Sequence, residues 1–174
     1  KDMPEENQYY LDLYRELAGL RPKRVWAGAG GLSAVNYADG RKILELAAES
    51  GLSAVAAGLE SISCEGQKES GAWRKLHYDS PESFELGKMK ENIRAIQGLG
   101  IAIMGFFVIG WDEDTVETYH RTLDFCDECN LTPFIFTLHP TPGSQVYREY
   151  LEQDPATLVR RALDKRLEIV VPVA

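Results

Sequence analysis

Ile101-Ala102-Ile103-Met104-Gly105-Phe106-Phe107-Val108-Ile109-Gly110, followed by Trp111-Asp112-Glu113-Asp114, is the stretch that decides the architecture. It is rich in branched and aromatic residues and ends on a glycine and a polar turn, which reads as a strand buried on both faces. It is far shorter than the roughly 20 residues that span a bilayer. The segment before it has helical period. Ser80-Pro81 gives a start signal, Leu86, Met89, Ile93 and Ile96 share one face, and Gly98 and Gly100 stop it. The segment after it opens with Asp114-x-x-Glu117, an aspartate form of the capping box, and places Val116, Tyr119, Leu123 and Cys126 on one stripe. Helix, buried strand, helix is the unit of a parallel sheet.

The same unit recurs in both directions. Arg24 to Ala27, Ser53 to Ala57 and Phe134 to Leu138 read as three more strands. A first helix is expected with Tyr10, Leu13, Tyr14 and Leu17 on its face and Gly19 at its end. A second starts near Asp39, buries Ile43, Leu44, Ala47 and Ala48, and stops at Gly51. A further helix is expected from Ser144 to about Glu152, with a helix or strand tail over 154–174. The strand spacing is close to the ~30 residues that a strand, crossover helix and return require. The long interval before the third strand is assigned to an extra polar loop, Ile62 to Asp79, without an element of its own. The fold class is therefore α/β: a partial (β/α) TIM-type barrel of four parallel strands with crossover helices, over residues 1–153. A whole barrel of this type takes about 250 residues, and this chain has 174.

Composition narrows the function classes. Lys and Arg number 19 against 27 Asp and Glu, a net charge of -8. That balance leaves no electrostatic footprint for a nucleic-acid backbone. The first residues, Lys1-Asp2-Met3-Pro4, lack the basic-then-apolar order of a secretory leader. Cys64, Cys126 and Cys129 are too few for a disulfide scaffold. A soluble cytoplasmic protein with no membrane span is expected.

In parallel β/α architectures, chemistry collects beyond the C-terminal ends of the strands. Those ends carry Gly28-Ala29-Gly30-Gly31, Gly58-Leu59-Glu60-Ser61, Gly110-Trp111-Asp112-Glu113-Asp114 and His139-Pro140-Thr141-Pro142-Gly143. Glu60 is the most informative residue: a carboxylate on this rim can accept bonds from a ligand ammonium or hydroxyls, or simply cap or salt-bridge the turn. Asp112 to Asp114 suit a helix N-terminus better than a cation site. His139 is either a substrate contact or proton donor, or a turn residue. Trp73 and Arg74, in the loop between Ser63 and Asp79, are the local candidates for substrate contact. Cys126-Asp127-Glu128-Cys129 has the spacing of a redox or zinc pair but sits at the wrong end of its helix, among acidic residues, so core cysteines are expected.

Taken together, Val25-Trp26 with its glycine-rich exit, Gly58 to Ser61, Gly105 to Asp114 and Thr137 to Ser144 resemble the later half of the radical S-adenosylmethionine (SAM) enzyme barrel. The resemblance is to the branch with an N-terminal cobalamin-binding domain and covers about residues 5–152. It implies that Glu60 helps hold the amino-acid or ribose portion of SAM, with Gly58 and Ser61 beside it. It also implies that Val108 lies against adenine, that Gly110 permits its approach, that Pro140 flanks the same pocket, and that Trp26 points into the barrel. The family holds a [4Fe–4S] cluster on Cys-x-x-x-Cys-x-x-Cys after its first strand, and this sequence contains no such motif. The expectation is a C-terminal portion of a radical enzyme that cleaves SAM reductively for radical methylation or rearrangement of an unknown substrate, a small molecule or a lipid-like one. Its partner is the upstream half of the same barrel, with cobalamin, where used, on an upstream domain. The competing expectations are a non-catalytic half-barrel scaffold that dimerises and a hydrolase using Glu60 and His139.

Overall fold

The computed structural model describes residues 4–139 and 141–143, together with 147, 148 and 152. The four apolar runs form β1 (Trp26–Ala29), β2 (Leu52–Glu60), β3 (Ala102–Ile109) and β4 (Thr132–Thr137). All pair in parallel in the order β1-β2-β3-β4. The α-helices α1 (Pro4–Gly19), α2 (Gly40–Ser50), α3 (Cys64–Ser70), α4 (Leu86–Gln97) and α5 (Val116–Glu128) accompany them. This is the α/β arrangement expected, four parallel strands with interleaved helices.

The expectation of burial on both faces is not met. Val55, Ala57 and Leu59 of β2 and Ile103 and Phe107 of β3 are buried in one core with Leu44 and Ala47 of α2, Met89, Ile93 and Ile96 of α4, and Phe125 and Cys126 of α5. The alternate residues of the same strands face the other way. Side by side across the sheet they are Ala27, Ala54 and Ala102; then Ala29, Ala56, Met104 and Thr132; then Gly58, Phe106 and Phe134; then Val108 and Phe136. None of these is buried, and Phe134 and Phe136 are 40% and 51% exposed. The sheet has a sealed outer face and an open inner one.

Five local expectations change. Trp26 turns outward, not into the barrel: its indole Nε1 donates to Ser50 Oγ at 3.2 Å and its ring stacks on Tyr14 with centroids 5.7 Å apart. The α5 stripe is rotated. Thr122, Phe125, Cys126 and Cys129 are buried, whereas Val116 is 62% exposed. The N-cap is Thr115, whose hydroxyl accepts from Thr118 N, and not Asp114. Ser80-Pro81 opens only a short 3-10 turn, Pro81–Ser83, and α4 begins at Leu86. The interval 62–79 does hold a helix, α3, capped by Ser63 Oγ accepting from Gly66 N at 3.0 Å, and a 3-10 turn, Ala72–Arg74. Pro140, the remainder of the helix expected from Ser144, and the tail 154–174 lie outside the described residues.

The rotated stripe has a measurable consequence. Phe125→Ala should cost about 3–5 kcal/mol of unfolding free energy by urea titration. Val116→Ser should change it by less than about 0.5 kcal/mol, and equal losses at the two positions would contradict the assignment.

Candidate functional site

A cavity of about 430 Å3 lies beyond the ends of β1 and β2. Its floor is Ala29, Gly30, Gly31, Ala56 and Gly58, and its walls are Ser33, Tyr37, Lys75 and Leu76. The walls come from two insertions that follow strands, a 3-10 turn at Leu32–Asn36 and the segment after α3, and they are bonded to each other. Ser33 Oγ donates to the Lys75 carbonyl at 3.1 Å, and the Tyr37 hydroxyl is hydrogen-bonded to His77 Nε2. The interval 62–79 is thus a wall of the site, pinned to the glycine turn after β1.

Glu60 does not line this cavity but lies against two residues that do, Gly58 and Lys75. Its backbone is left-handed, with φ 61, at a point where the β2–β3 register shifts between Gly58 and Glu60. A non-glycine residue held there costs of order 1–3 kcal/mol, and such conformations cluster at functional sites. The carboxylate curls back over Gly58: a Cβ at position 58 would lie 2.8 Å from Glu60 Oε1. That oxygen accepts from Lys75 Nζ at 3.0 Å. Glu60 is only 18% exposed in its side chain while Lys75 is 66% exposed, so the carboxylate is fixed and the ammonium is the movable partner. His77, on the other side of Lys75, is likewise left-handed, with φ 58.

The other expected residues divide. Ser61 is buried and occupied internally: its Oγ accepts from Ser63 N at 3.1 Å, and its carbonyl accepts from the Gln67 amide. Gln67 is fully buried and also donates to the Leu59 carbonyl at 2.8 Å, so this side chain holds the turn that presents Glu60. Val108 faces the open side in a row with Phe136. Gly110, with φ 107, turns the chain so that its N–H and that of Trp111 both donate to Asp114 Oδ2, at 2.8 and 3.0 Å. Asp114 therefore closes the β3–α5 turn. Trp73 and Arg74 pack on each other, the guanidinium 4.5 Å from the ring centroid, and neither lines the cavity. His139 is exposed after β4. From the sequence Lys75 is only one of several residues of the loop Ser63 to Asp79 offered as a substrate or domain contact, and Ser33 and Tyr37 are not singled out.

The cysteines fall as expected for core residues. Cys126 and Cys129 are buried, and burial, then the neighbouring Cys129 and Asp127, push the Cys126 thiol up to about 11. Burial also raises Cys129. Among the described residues no group of three His, Cys, Asp or Glu converges as metal ligands, and no helix is long and apolar enough to cross a membrane.

The fold is similar to part of the fold of solved radical SAM enzymes that bind cobalamin. OxsB with aqua-cobalamin bound matches with a TM-score of 0.53 at 16% identity, covering 91% of this chain and 22% of that one. The radical SAM methyltransferase TsrM from Kitasatospora setae, with cobalamin and a [4Fe–4S] cluster bound, matches with a TM-score of 0.51 at 19% identity, over 75% of this chain and 25% of that one. In sequence, bacteriochlorophyllide d C-8(2)-methyltransferase of Chlorobaculum tepidum is 27% identical over 154 residues, 82% of this chain and 32% of that protein. The C-12(1)-methyltransferase of the same organism is 27% identical over 145 residues, 82% of this chain and 28% of that protein. The chain spans less than a third of the length of these relatives. No protein-family model matches it.

Thiol chemistry tests the placement of the cysteines. At pH 8 only about one in a thousand Cys126 side chains is thiolate if its pKa is near 11. Iodoacetamide should therefore label Cys64 in the native chain and reach Cys126 and Cys129 only in denaturant, as read by mass spectrometry. Rapid native labelling of Cys126 would contradict its burial.

Proposed function

We propose that this chain is the later half of a radical SAM barrel whose parent protein transfers a methyl group, with the [4Fe–4S] cluster held by residues outside it. The single observation that carries the reading is the Glu60–Lys75 pair on the strand-end rim of a sheet whose inner face is open, in a fold shared with such enzymes.

The residues present suit SAM. Glu60 can accept from the ribose hydroxyls or the ammonium, Lys75 can meet the carboxylate, and the absence of a side chain at Gly58 leaves room for both. Val108 and Gly110 flank the adenine. Bound SAM supplies the transferable methyl group and the cleavable sulfonium bond, while this chain binds and orients it. The cluster does not suit this chain, because two of its three thiols are buried between helices and sheet and, among the described residues, no ligand trio converges. Its iron belongs to the upstream half of the barrel, and cobalamin to an upstream domain. The substrate is a small molecule approached from the open side of the rim.

Anaerobic reconstitution with iron and sulfide tests the reading. A protein carrying this chain with its preceding coding sequence should bind about four irons and cleave SAM, and the 174-residue chain alone should bind no stoichiometric cluster. A cluster on the chain alone that depends on Cys64, Cys126 and Cys129 would overturn it, as would a longer protein with no cluster. In the cluster-bearing protein, Glu60→Gln should weaken SAM binding about tenfold. Gly58→Ala should do the same by displacing the carboxylate, both measured by equilibrium dialysis.

A further inference from the structure

We infer that Tyr37, with His77 behind it, is the proton-transferring couple of this site: the phenol takes a proton inside the cavity and the imidazole passes one to solvent. The inference rests on the methyl-transfer reading above. Ser33, Tyr37 and Lys75 are the polar side chains that line the cavity among the described residues. Two of them are engaged elsewhere. Ser33 Oγ donates to the Lys75 carbonyl, and Lys75 Nζ donates to Glu60. Tyr37 is instead joined to a second titratable ring. Its hydroxyl lies 2.5 Å from His77 Nε2, and the rings meet edge to face with centroids 5.1 Å apart and planes 84° apart. Tyr37 is half-buried on the cavity wall, whereas His77 is exposed and does not line the cavity. The couple therefore crosses the wall, from the cavity to bulk water.

The backbone is bent to make this contact. His77 is held at φ 58, a conformation that glycine adopts freely and histidine does not. Bracing alone does not require it, because the bond from Ser33 already ties the same two insertions together. The chemistry explains the imidazole. Replacing a substrate hydrogen by a methyl group, drawn as a cation equivalent from a sulfonium, releases one proton and no electron. With the phenol donating, Nε2 is the bare nitrogen and Nδ1 carries the hydrogen. The substrate's bond to hydrogen breaks and its electron pair stays with the substrate. The released proton moves to Tyr37 Oη, the phenol proton moves to His77 Nε2, and the Nδ1 proton leaves to water. The substrate class is one whose methylated atom carries an O–H, an N–H or an electron-rich ring C–H.

The small ester p-nitrophenyl acetate probes the couple on the full chain. A phenol whose proton is taken by an imidazole attacks the ester carbonyl, p-nitrophenolate leaves, and the tyrosine oxygen keeps the acetyl group. Peptide mass spectrometry reads acetylation of Tyr37 against that of Tyr9, which is 63% exposed and serves as the internal reference. Tyr37, although less exposed, should react about tenfold faster or more. His77→Gln keeps a hydrogen-bond acceptor but takes no proton, and it should abolish the excess. His77→Gly suits the backbone at this position and should lose the excess too, and added imidazole should restore Tyr37 relative to Tyr9. A Tyr37 rate no higher than that of Tyr9, an unchanged rate in His77→Gln, or no rescue of His77→Gly would overturn the couple and leave the barrel reading standing. A reactive Tyr37 in a longer protein that binds no iron would remove the methyl-transfer reading, and with it the role inferred for the couple.

Discussion

A parallel sheet satisfies its backbone only between strands, and in water its two faces must both be covered or be made of residues that tolerate exposure. In this chain α2, α4 and α5 seal one face around Ile93, Ile103, Phe107 and Phe125. The other face carries alanine, glycine and a phenylalanine stack that no helix covers among the described residues. That one-sided burial sets the rest. It leaves the inward rows, and the rim above them, uncovered by any helix among the described residues. It also makes the turn after β2 the point where buried packing passes into the open rim.

The turn after β2 shows how the sealed side controls the open one. Gln67 of α3 is buried and donates to the carbonyls of Leu59 and Ser61, which bracket Glu60. Glu60 is thereby held at positive φ, and its carboxylate lies over Gly58 against Lys75. The short helix α3 therefore positions a rim carboxylate and does not merely decorate a loop. The second clamp, Ser33 to the Lys75 carbonyl, ties the same segment to the glycine turn after β1. Two strand ends are thus cross-braced around one cavity.

The strands and their parallel order were legible because apolar runs ending on glycine have few other readings. Glu60 was legible because a carboxylate directly after such a run stands on the rim. The direction of Trp26 was not: period-two alternation says which residues share a face, but not which face meets the helices. The rotation of α5 was missed because Thr122, a polar residue that bonds its own helix at the Thr118 carbonyl, takes a buried position while Val116 and Tyr119 stand outside. Helix α3 escaped because its sequence is polar and its buried residues are a glycine and a glutamine, Gly66 and Gln67. Lys75 reaches Glu60 across a chain separation that no local pattern reports. Only the fold brings them together.

The central claim is that the sheet of this chain has one sealed face and one open face. Cysteine accessibility measures it directly. In a Cys64→Ser background, Ala54→Cys and Ala56→Cys place thiols on the inner rows, and Ala57→Cys places one beneath the helices. With a maleimide in native buffer, the account predicts fast labelling at 54 and 56 and protection at 57. Protection at all three positions would mean that the inner face is already filled, by a second copy or by the chain itself, and would contradict it.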